Sequence, residues 1–375
     1  MNPISIFEDN LGNKCFMVVD TVVHGIAAGG IRISESVSLE EVKALAQAMS
    51  YKFAMFDIEM GGAKVGIRLK DGNDKGSAML NFKKYLQPLI NRLNYIPGVD
   101  LGSDEHDIDA LYRRVWWRRI KIDSSYFTAI GIGACLDFIA QRYSLKKMRI
   151  TLSGFGKVGY FLLKELIHSN AEVVAISNKY GYIHSDSGLD KQKLITLKDN
   201  YSDEWIFHYG LEIFPKDKVY AVTSDIIIPA AEAYAINSQN LELLDTKFIC
   251  PIANIPYQNG TAAKLSSKGI VCFPDFVTSV GGVLSHYFYS QGCPFSDIEK
   301  NVRSRIFSML DYLYKNSGDD YYSYALKYAQ NKIQKNNKIE NNRNGKLTPK
   351  LKAKIFLSGY IPKWLIKKYY KLAGK

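Results

Sequence analysis

The stretch "IEMGGAKVGIR" (residues 58–68) sets Lys64 among three glycines, with no acid next to it in sequence. Glycine-rich backbone followed by lysine is how phosphate-cradling loops grip nucleotides, but such a loop needs Ser or Thr after the lysine and Val65 stands there. Lys64 therefore needs another chemistry. A second glycine motif, "GFGKVG", has the spacing for a dinucleotide: Gly154, Gly156 and Gly159, with Lys157 and Val158 between the last two. It follows the β-rich run "MRITLS" and precedes the helix-patterned "YFLLKELIHS" and a further strand, "AEVVAIS". That context, a βαβ unit of about thirty residues, gives an otherwise weak motif its meaning. Its glycines would let backbone amides and a helix N-terminus approach a pyrophosphate. At the end of the second strand an acid would hold the ribose 2′-hydroxyl; "AISNKYG" offers Asn178 and Lys179 instead, so NADP is accommodated as well as NAD.

The elements that must position these residues are legible in outline. In "LEEVKALAQAMSYKFAMFD" (39–57), Val42, Leu45, Ala46, Met49 and Phe53 recur at three- and four-residue steps, which predicts an amphipathic helix capped by Ser38. "KVGIRL" reads as a strand, residues 75–95 as a helix, "IPGVDLGSDEHD" as a loop and 105–117 as a helix. "AVTSDIIIPAA", "FICPIANIP" and "GIVCFPDFV" read as buried strands spaced by helices, continuing a parallel sheet. After residue 290 the pattern is helical and aromatic, and from 330 it turns Asn- and Lys-rich, like a linker.

At 375 residues the chain exceeds what one core usually serves, so two domains are expected. Five scattered cysteines without a CxxC pair point to a reducing cytoplasm, and away from a disulfide framework or a metal site. No apolar run reaches the roughly 20 residues of a membrane span, and "MNPISIFEDN" lacks the form of a signal peptide. The net charge of +12 belongs to the end of the chain: residues 331–375 hold 13 of the 49 basic side chains against one acid, Glu340, and the rest carries equal numbers of each sign. The body thus lacks a nucleic-acid signature. The tail's aromatics between lysines (Phe356, Tyr360, Trp364, Tyr369, Tyr370) suit a helix pair docked on the body, contact with an anionic membrane surface, or stacking on RNA.

Taken in order, "AAGGIRI", "MSYKFAMFDIEMGGAKVGI", "GVDLGSDEHDID", "FTAIGIGA" and "GFGKVG" resemble the glutamate/leucine/phenylalanine/valine dehydrogenases, across roughly residues 15–290. "FTAIGIG" is similar to the leucine and phenylalanine branch. The resemblance implies an α/β protein of two domains, an N-terminal α/β substrate-binding domain and a Rossmann-type dinucleotide-binding domain separated by a cleft. The expected bounds are 1–124 for substrate binding and oligomerisation, 125–288 for the Rossmann domain, 289–330 for helices returning to the first domain, and 331–375 for the basic tail. It also implies roles: Lys52 for the substrate α-carboxylate, Lys64 as catalytic base, Asp100 as proton relay, Gly30 and Ala28 beside the substrate, and Thr128, Asn254 and Ser279 at the cofactor. A lysine near a second cation and partly desolvated loses proton affinity, so Lys64 can activate water at near-neutral pH. The flanking glycines would let substrate and backbone approach that amine.

The chain departs from the family pattern in three places. Ala28 stands where glutamate enzymes carry a lysine for the side-chain carboxylate, which argues against glutamate as substrate. His286, three after Val283, stands at a side-chain-pocket position, and Ser279 replaces an asparagine. The implied activity is reversible oxidative deamination of an L-amino acid to a 2-oxo acid and ammonia, with NAD or NADP, in a homo-oligomer. Ser279 and His286 also leave open a catalytically weak relative that senses a ligand or acts as a scaffold.

Overall fold

The computed structural model describes residues 4–92, 94–111 and 122–342, with backbone alone at 91 and 337–342. Its chain divides into two compact units. One takes in the described residues up to 111 together with 290–292 and 328–342; the other takes in 122–289 and 293–327.

The first unit contains β1 (Ile4–Glu8), β2 (Lys14–Val19), β3 (Ala27–Ser34), α1 (Leu39–Met55), β4 (Gly61–Arg68), α2 (Lys75–Asn91), β5 (Tyr95–Val99) and α3 (Glu105–Leu111). The sheet order is β1-β2-β4-β3-β5. β1, β2 and β4 pair antiparallel, whereas β3 lies parallel to both β4 and β5. Strand alternation sorts the faces. Ile31, Ile33, Ala63, Val65 and Ile67 join a core with Met79, Phe82 and Leu86 of α2. The opposite face of β4 carries Gly62, Lys64 and Gly66 and receives α1. A Cβ at Gly62 would lie 2.3 Å from Ser50 and one at Gly66 2.3 Å from Val42, so these glycines are small because a helix lies on them. The expectation that they open the backbone to a substrate is thereby corrected. Ser38 caps α1 by accepting from the Glu41 amide at 3.1 Å, and Glu40 and Glu41 sit in the first turn, where the helix dipole favours acids.

The second unit contains α4 (Ser124–Arg142), β6 (Met148–Ser153), α5 (Lys157–Glu165), β7 (Ala171–Asn178), β8 (Gly181–His184), α6 (Lys191–Tyr201), α7 (Trp205–His208), β9 (Ile226–Pro229), β10 (Phe248–Ile249), α8 (Thr261–Ser267), β11 (Val271–Cys272), α9 (Asp275–Thr278), α10 (Gly281–Ser290) and α11 (Phe295–Ser317). The strand order is β11-β10-β9-β6-β7-β8, parallel throughout except for β8 against β7. β6 has β7 on one side and β9 on the other, so the chain reverses its direction of winding there. The C-terminal end of such a strand is where open α/β sheets bind ligands. α11 buries Val302, Ile306, Leu310 and Leu313, and α12 (Tyr321–Asn342) follows it.

Several expectations change. Residues 96–99, read as loop, belong to β5, because parallel pairing with β3 satisfies their backbone in spite of Pro97 and Gly98. Residues 331–342, read as linker, continue α12, where Lys332 reaches Asp57 at 2.5 Å. α11 groups with the second unit, not the first. The remainder of the basic tail, with all its aromatics, and residues 112–117 of the expected helix lie outside the described residues.

Candidate active site

Lys64 sits on β4 between Ala63 and Val65, whose side chains face the α2 core, so its own side chain emerges on the α1 face. It is 3% exposed. Its Nζ lies 2.9 Å from Oδ2 of Asp100, the residue just past β5. A tight turn fixes that carboxylate: the Asp100 amide donates to Ser103 Oγ at 2.9 Å, and Gly102 takes φ +80° where a Cβ would meet Ile33 O at 1.9 Å. Gly30, on β3 between the two strands, completes the arrangement. A Cβ there would lie 2.9 Å from Asp100 Cβ and 3.3 Å from Lys64 Nζ. Lys64, Asp100 and Gly30 are thus brought together.

Two further residues belong to the cluster. Arg32, two residues after Gly30 and hence on the same strand face, donates through Nε to Asp100 Oδ2 at 2.8 Å. Its Nη1 donates to Glu41 in the first turn of α1. The Arg32 side chain is 11% exposed. Period-two alternation from Gly30 was a usable signal for Arg32; no pattern along the chain marked Glu41. Lys52 is buried in the last turn of α1, and Arg32 joins Lys64 as a cation ion-paired to Asp100.

The electrostatics follow from burial. Desolvation pushes the Lys64 amine down; Asp100 pulls it up, Arg32 pushes it down again, and the outcome lies below the ordinary lysine value. Burial alone would raise the Asp100 carboxyl, but the Lys64 and Arg32 cations outweigh it and hold the group well below the usual carboxylate range. A buried amine with a weakened hold on its proton, hydrogen-bonded to an ionised carboxylate, has the chemistry a general base needs.

In the second unit the glycine motif forms the turn from β6 into α5, and each glycine has its own reason. Gly154 has φ +120°, and a Cβ there would meet that of Ala231 at 2.8 Å. Gly159 packs its Cα face against Gly154 O, which a Cβ would approach to 2.7 Å. Gly156 caps α5 without a side-chain hydrogen bond, and nothing lies within 4 Å of a Cβ placed on it. That open cradle at a helix N-terminus fits a pyrophosphate, with the amides around Lys157 and Val158 as donors. The Lys157 Nζ is 3.0 Å from Asp123, the N-cap of α4.

At the end of β7 the Asn178 side chain serves the backbone, donating to Asp203 O at 2.7 Å and accepting from the Tyr180 amide at 2.9 Å. Lys179 reaches Asp203 Oδ2 at 3.4 Å and Lys198 reaches Oδ1 at 2.6 Å. Lys198 also lies over the ring of Phe155 in the glycine motif. The expectation that no carboxylate stands at this strand end is corrected: Asp203 arrives there from the turn after α6, twenty-five residues on from Asn178. Nothing in local sequence announced it.

The remaining positions are quieter. Thr128 Oγ1, on α4, donates to Ser124 O at 2.8 Å and accepts from the Gly282 amide. Ser279 gives its proton to Asp275 O at 2.7 Å, leaving only an acceptor for a ligand. Asn254 precedes Ile255, which holds φ +49°, costly for a β-branched residue; the Asp275 carboxylate accepts the Ile255 amide at 2.9 Å and steadies that turn. Val283 and His286 lie on α10, the imidazole Nε2 3.0 Å from Ser124 Oγ. Ala28 is buried on β3, paired with Gly62 and Ile96.

The first unit thus carries a buried lysine–aspartate pair on an α/β sheet, and the second a glycine-rich turn in a Rossmann-type sheet, the two-unit arrangement of the amino-acid dehydrogenase family. Residues 123–347 match the Glutamate/Leucine/Phenylalanine/Valine dehydrogenase family and residues 7–116 match the Glu/Leu/Phe/Val dehydrogenase dimerisation domain. The chain belongs to that family, whose members use NAD or NADP. It is 29% identical over 299 residues to a glutamate dehydrogenase of Thermotoga maritima, covering 73% of this chain and 71% of that protein. It is 26% identical over 320 residues to an NAD-specific glutamate dehydrogenase of Staphylococcus aureus, covering 78% and 77%. Among solved structures the fold is similar to hetero-hexameric glutamate dehydrogenase from Thermus thermophilus in its Leu-bound form (TM-score 0.74, 19% identity, 90% and 88% covered). It is also similar to L-tryptophan dehydrogenase from Nostoc punctiforme (TM-score 0.61, 20% identity, 89% and 96% covered). Among the described residues no helix is long and apolar enough to cross a membrane.

Proposed function

We propose that this chain is an NAD(P)-dependent dehydrogenase of an L-amino acid other than glutamate, interconverting it with the 2-oxo acid and ammonia. The observation that carries this reading is the buried Lys64–Asp100 pair, with the lysine depressed below its ordinary proton affinity. A nicotinamide dinucleotide, when bound, supplies the hydride acceptor; the glycine turn 154–159 and the end of β7 are the groups that would hold it. Lys52 grips the α-carboxylate. In the neutral form Lys64 takes a proton from the water that attacks the substrate iminium, and Asp100, ionised in the resting site and protonated in passing, relays protons to and from the departing amine. Across the whole reaction, amino acid, oxidised cofactor and water yield 2-oxo acid, ammonium, reduced cofactor and a proton. Ala28 brings no charge to a substrate side chain, which disfavours glutamate. Asp203 gives the ribose edge a carboxylate and Lys179 and Lys198 give it cations, so both cofactors are accommodated. The match to a dimerisation domain supports assembly with further copies of the chain.

Each of the twenty amino acids, and 2-oxo acids with ammonia, is assayed for change in reduced nicotinamide. At least one non-acidic amino acid turns over, and Lys64→Met lowers the rate by about 10²–10⁴-fold, the usual worth of general acid–base catalysis. Absence of turnover with every pair, by a chain that binds the cofactor, rejects the reading.

A further inference from the structure

Asp100 Oδ2 accepts from two cations at once, Lys64 Nζ at 2.9 Å and Arg32 Nε at 2.8 Å. The far end of the guanidinium is tied to Glu41 across the strand–helix interface. We infer that Arg32, anchored from behind by Glu41, is a positioning residue that divides the Asp100 carboxylate between two cations and so sets how tightly Lys64 holds its proton; this deepens the proposed dehydrogenase reading and rests on it for its catalytic meaning.

The physical reason is the geometry of sharing. A buried lysine facing a carboxylate of its own would be locked as an ammonium, because attraction at about 3 Å in a poorly solvated site is strong. Such a lysine could not serve as a base near neutral pH. Arg32 never releases its proton in a protein, so a guanidinium on the same oxygen removes part of that attraction and adds repulsion. The planar fork suits the task, since Nε and Nη1 engage two carboxylates in fixed directions. Glu41 keeps the guanidinium from swinging toward water and returns part of the lost negative charge. The charged groups that act on the Lys64 amine include Asp100 at the end of β5, Arg32 from β3 and Glu41 from α1, while β2, which pairs with β4 at Lys64, faces it with Val18. Gly30 keeps the space between them clear.

The two anchoring charges have opposite signs, and so do their expected effects, which damage to the fold would not mimic. In the full-length protein, carbamylation of Lys64 by cyanate is followed against pH by peptide mass spectrometry; only the neutral amine reacts, so the midpoint reports the lysine without any substrate. Arg32→Met raises the midpoint by about one pH unit or more, Arg32→Lys restores most of the wild-type value, and Glu41→Gln, which keeps an acceptor for the guanidinium, lowers it. In turnover assays the acid limb of kcat/KM moves in the same directions. Should Arg32→Met unfold the chain, the Glu41→Gln and Arg32→Lys midpoints still decide. Unchanged midpoints, or shifts of one sign in both the Met and Gln variants, overturn the inference. Opposed shifts in a protein that oxidises no amino acid would leave the charge relay standing and remove the dehydrogenase reading alone.

Discussion

The two units hold their functional groups by different means. In the first, the candidate atoms belong to side chains: Lys64, Asp100, Arg32 and Glu41 form an ion-pair chain that burial makes strong and unforgiving. In the second, they belong mainly to backbone, at a turn of glycines before α5, and the charges nearby (Lys157, Lys179, Lys198, Asp203) are bound in pairs closer to solvent. A buried charge cluster loses stability and chemistry together when one member goes, since the partner is left uncompensated. A backbone cradle loses its ligand to one added methyl while the fold persists.

That contrast can be broken from either side. The largest effect is expected at Asp100. Asp100→Asn takes the carboxylate from Lys64 and leaves Arg32 with Glu41, and costs about 3 kcal/mol at neutral pH, read by denaturant unfolding. The carboxyl's folded-state affinity for protons is depressed, so the stability it contributes is full above the ordinary carboxylate range and fades as pH falls toward the folded value. The gap between wild type and variant therefore narrows below about pH 4; a gap constant down to acid denaturation would show the carboxylate to be unpaired. Next comes Gly30→Ala, whose methyl would meet Val99 O at 2.8 Å and Asp100 Cβ at 2.9 Å, so the chain carrying the Asp100 carboxylate must shift. Turnover drops about a hundredfold, as for misplacement of a reacting group by about 1 Å, while cofactor titration is unchanged.

The glycine turn sharpens the comparison. Gly156→Ala should melt like wild type yet bind the dinucleotide on the order of tenfold more weakly, because its methyl meets no protein atom and enters the cradle. Gly159→Ala does the reverse first, losing about 1–3 kcal/mol of stability through overpacking against Gly154. Equal behaviour of the two would refute the division of labour between them. The smallest change is expected for Asp203→Asn. Removing one anion beside Lys179 and Lys198 is worth about 1 kcal/mol near the surface, so the kcat/KM preference for NADP over NAD rises about fivefold.

Much of this was readable along the chain. The three- and four-residue recurrence from Val42 to Phe53 became α1 with its Ser38 cap, and "MRITLS" followed by "GFGKVG" became β6 and the turn into α5. These are local patterns whose physical cause, periodic burial and backbone allowance, lies within a dozen residues. The strand at 95–99 escaped because Pro97 and Gly98 lower local strand propensity, and only pairing with β3 recovers it. The helix through 331–342 escaped because composition suggests a solvated linker, while α12 is held by contacts such as Lys332 with Asp57.

Length, glycine spacing and motif order by themselves pointed to two units and a nucleotide-type turn, and the family resemblance singled out Lys64 and Asp100. Only the tertiary structure decided which charges those groups meet. Arg32 and Glu41 flank Lys64 because β3, β4 and α1 stack, and Asp203 reaches Asn178 because a turn after α6 folds back onto β7. Proton affinity and ligand preference depend on distance and on exclusion of water, and neither quantity is written in the separation of residues along a chain.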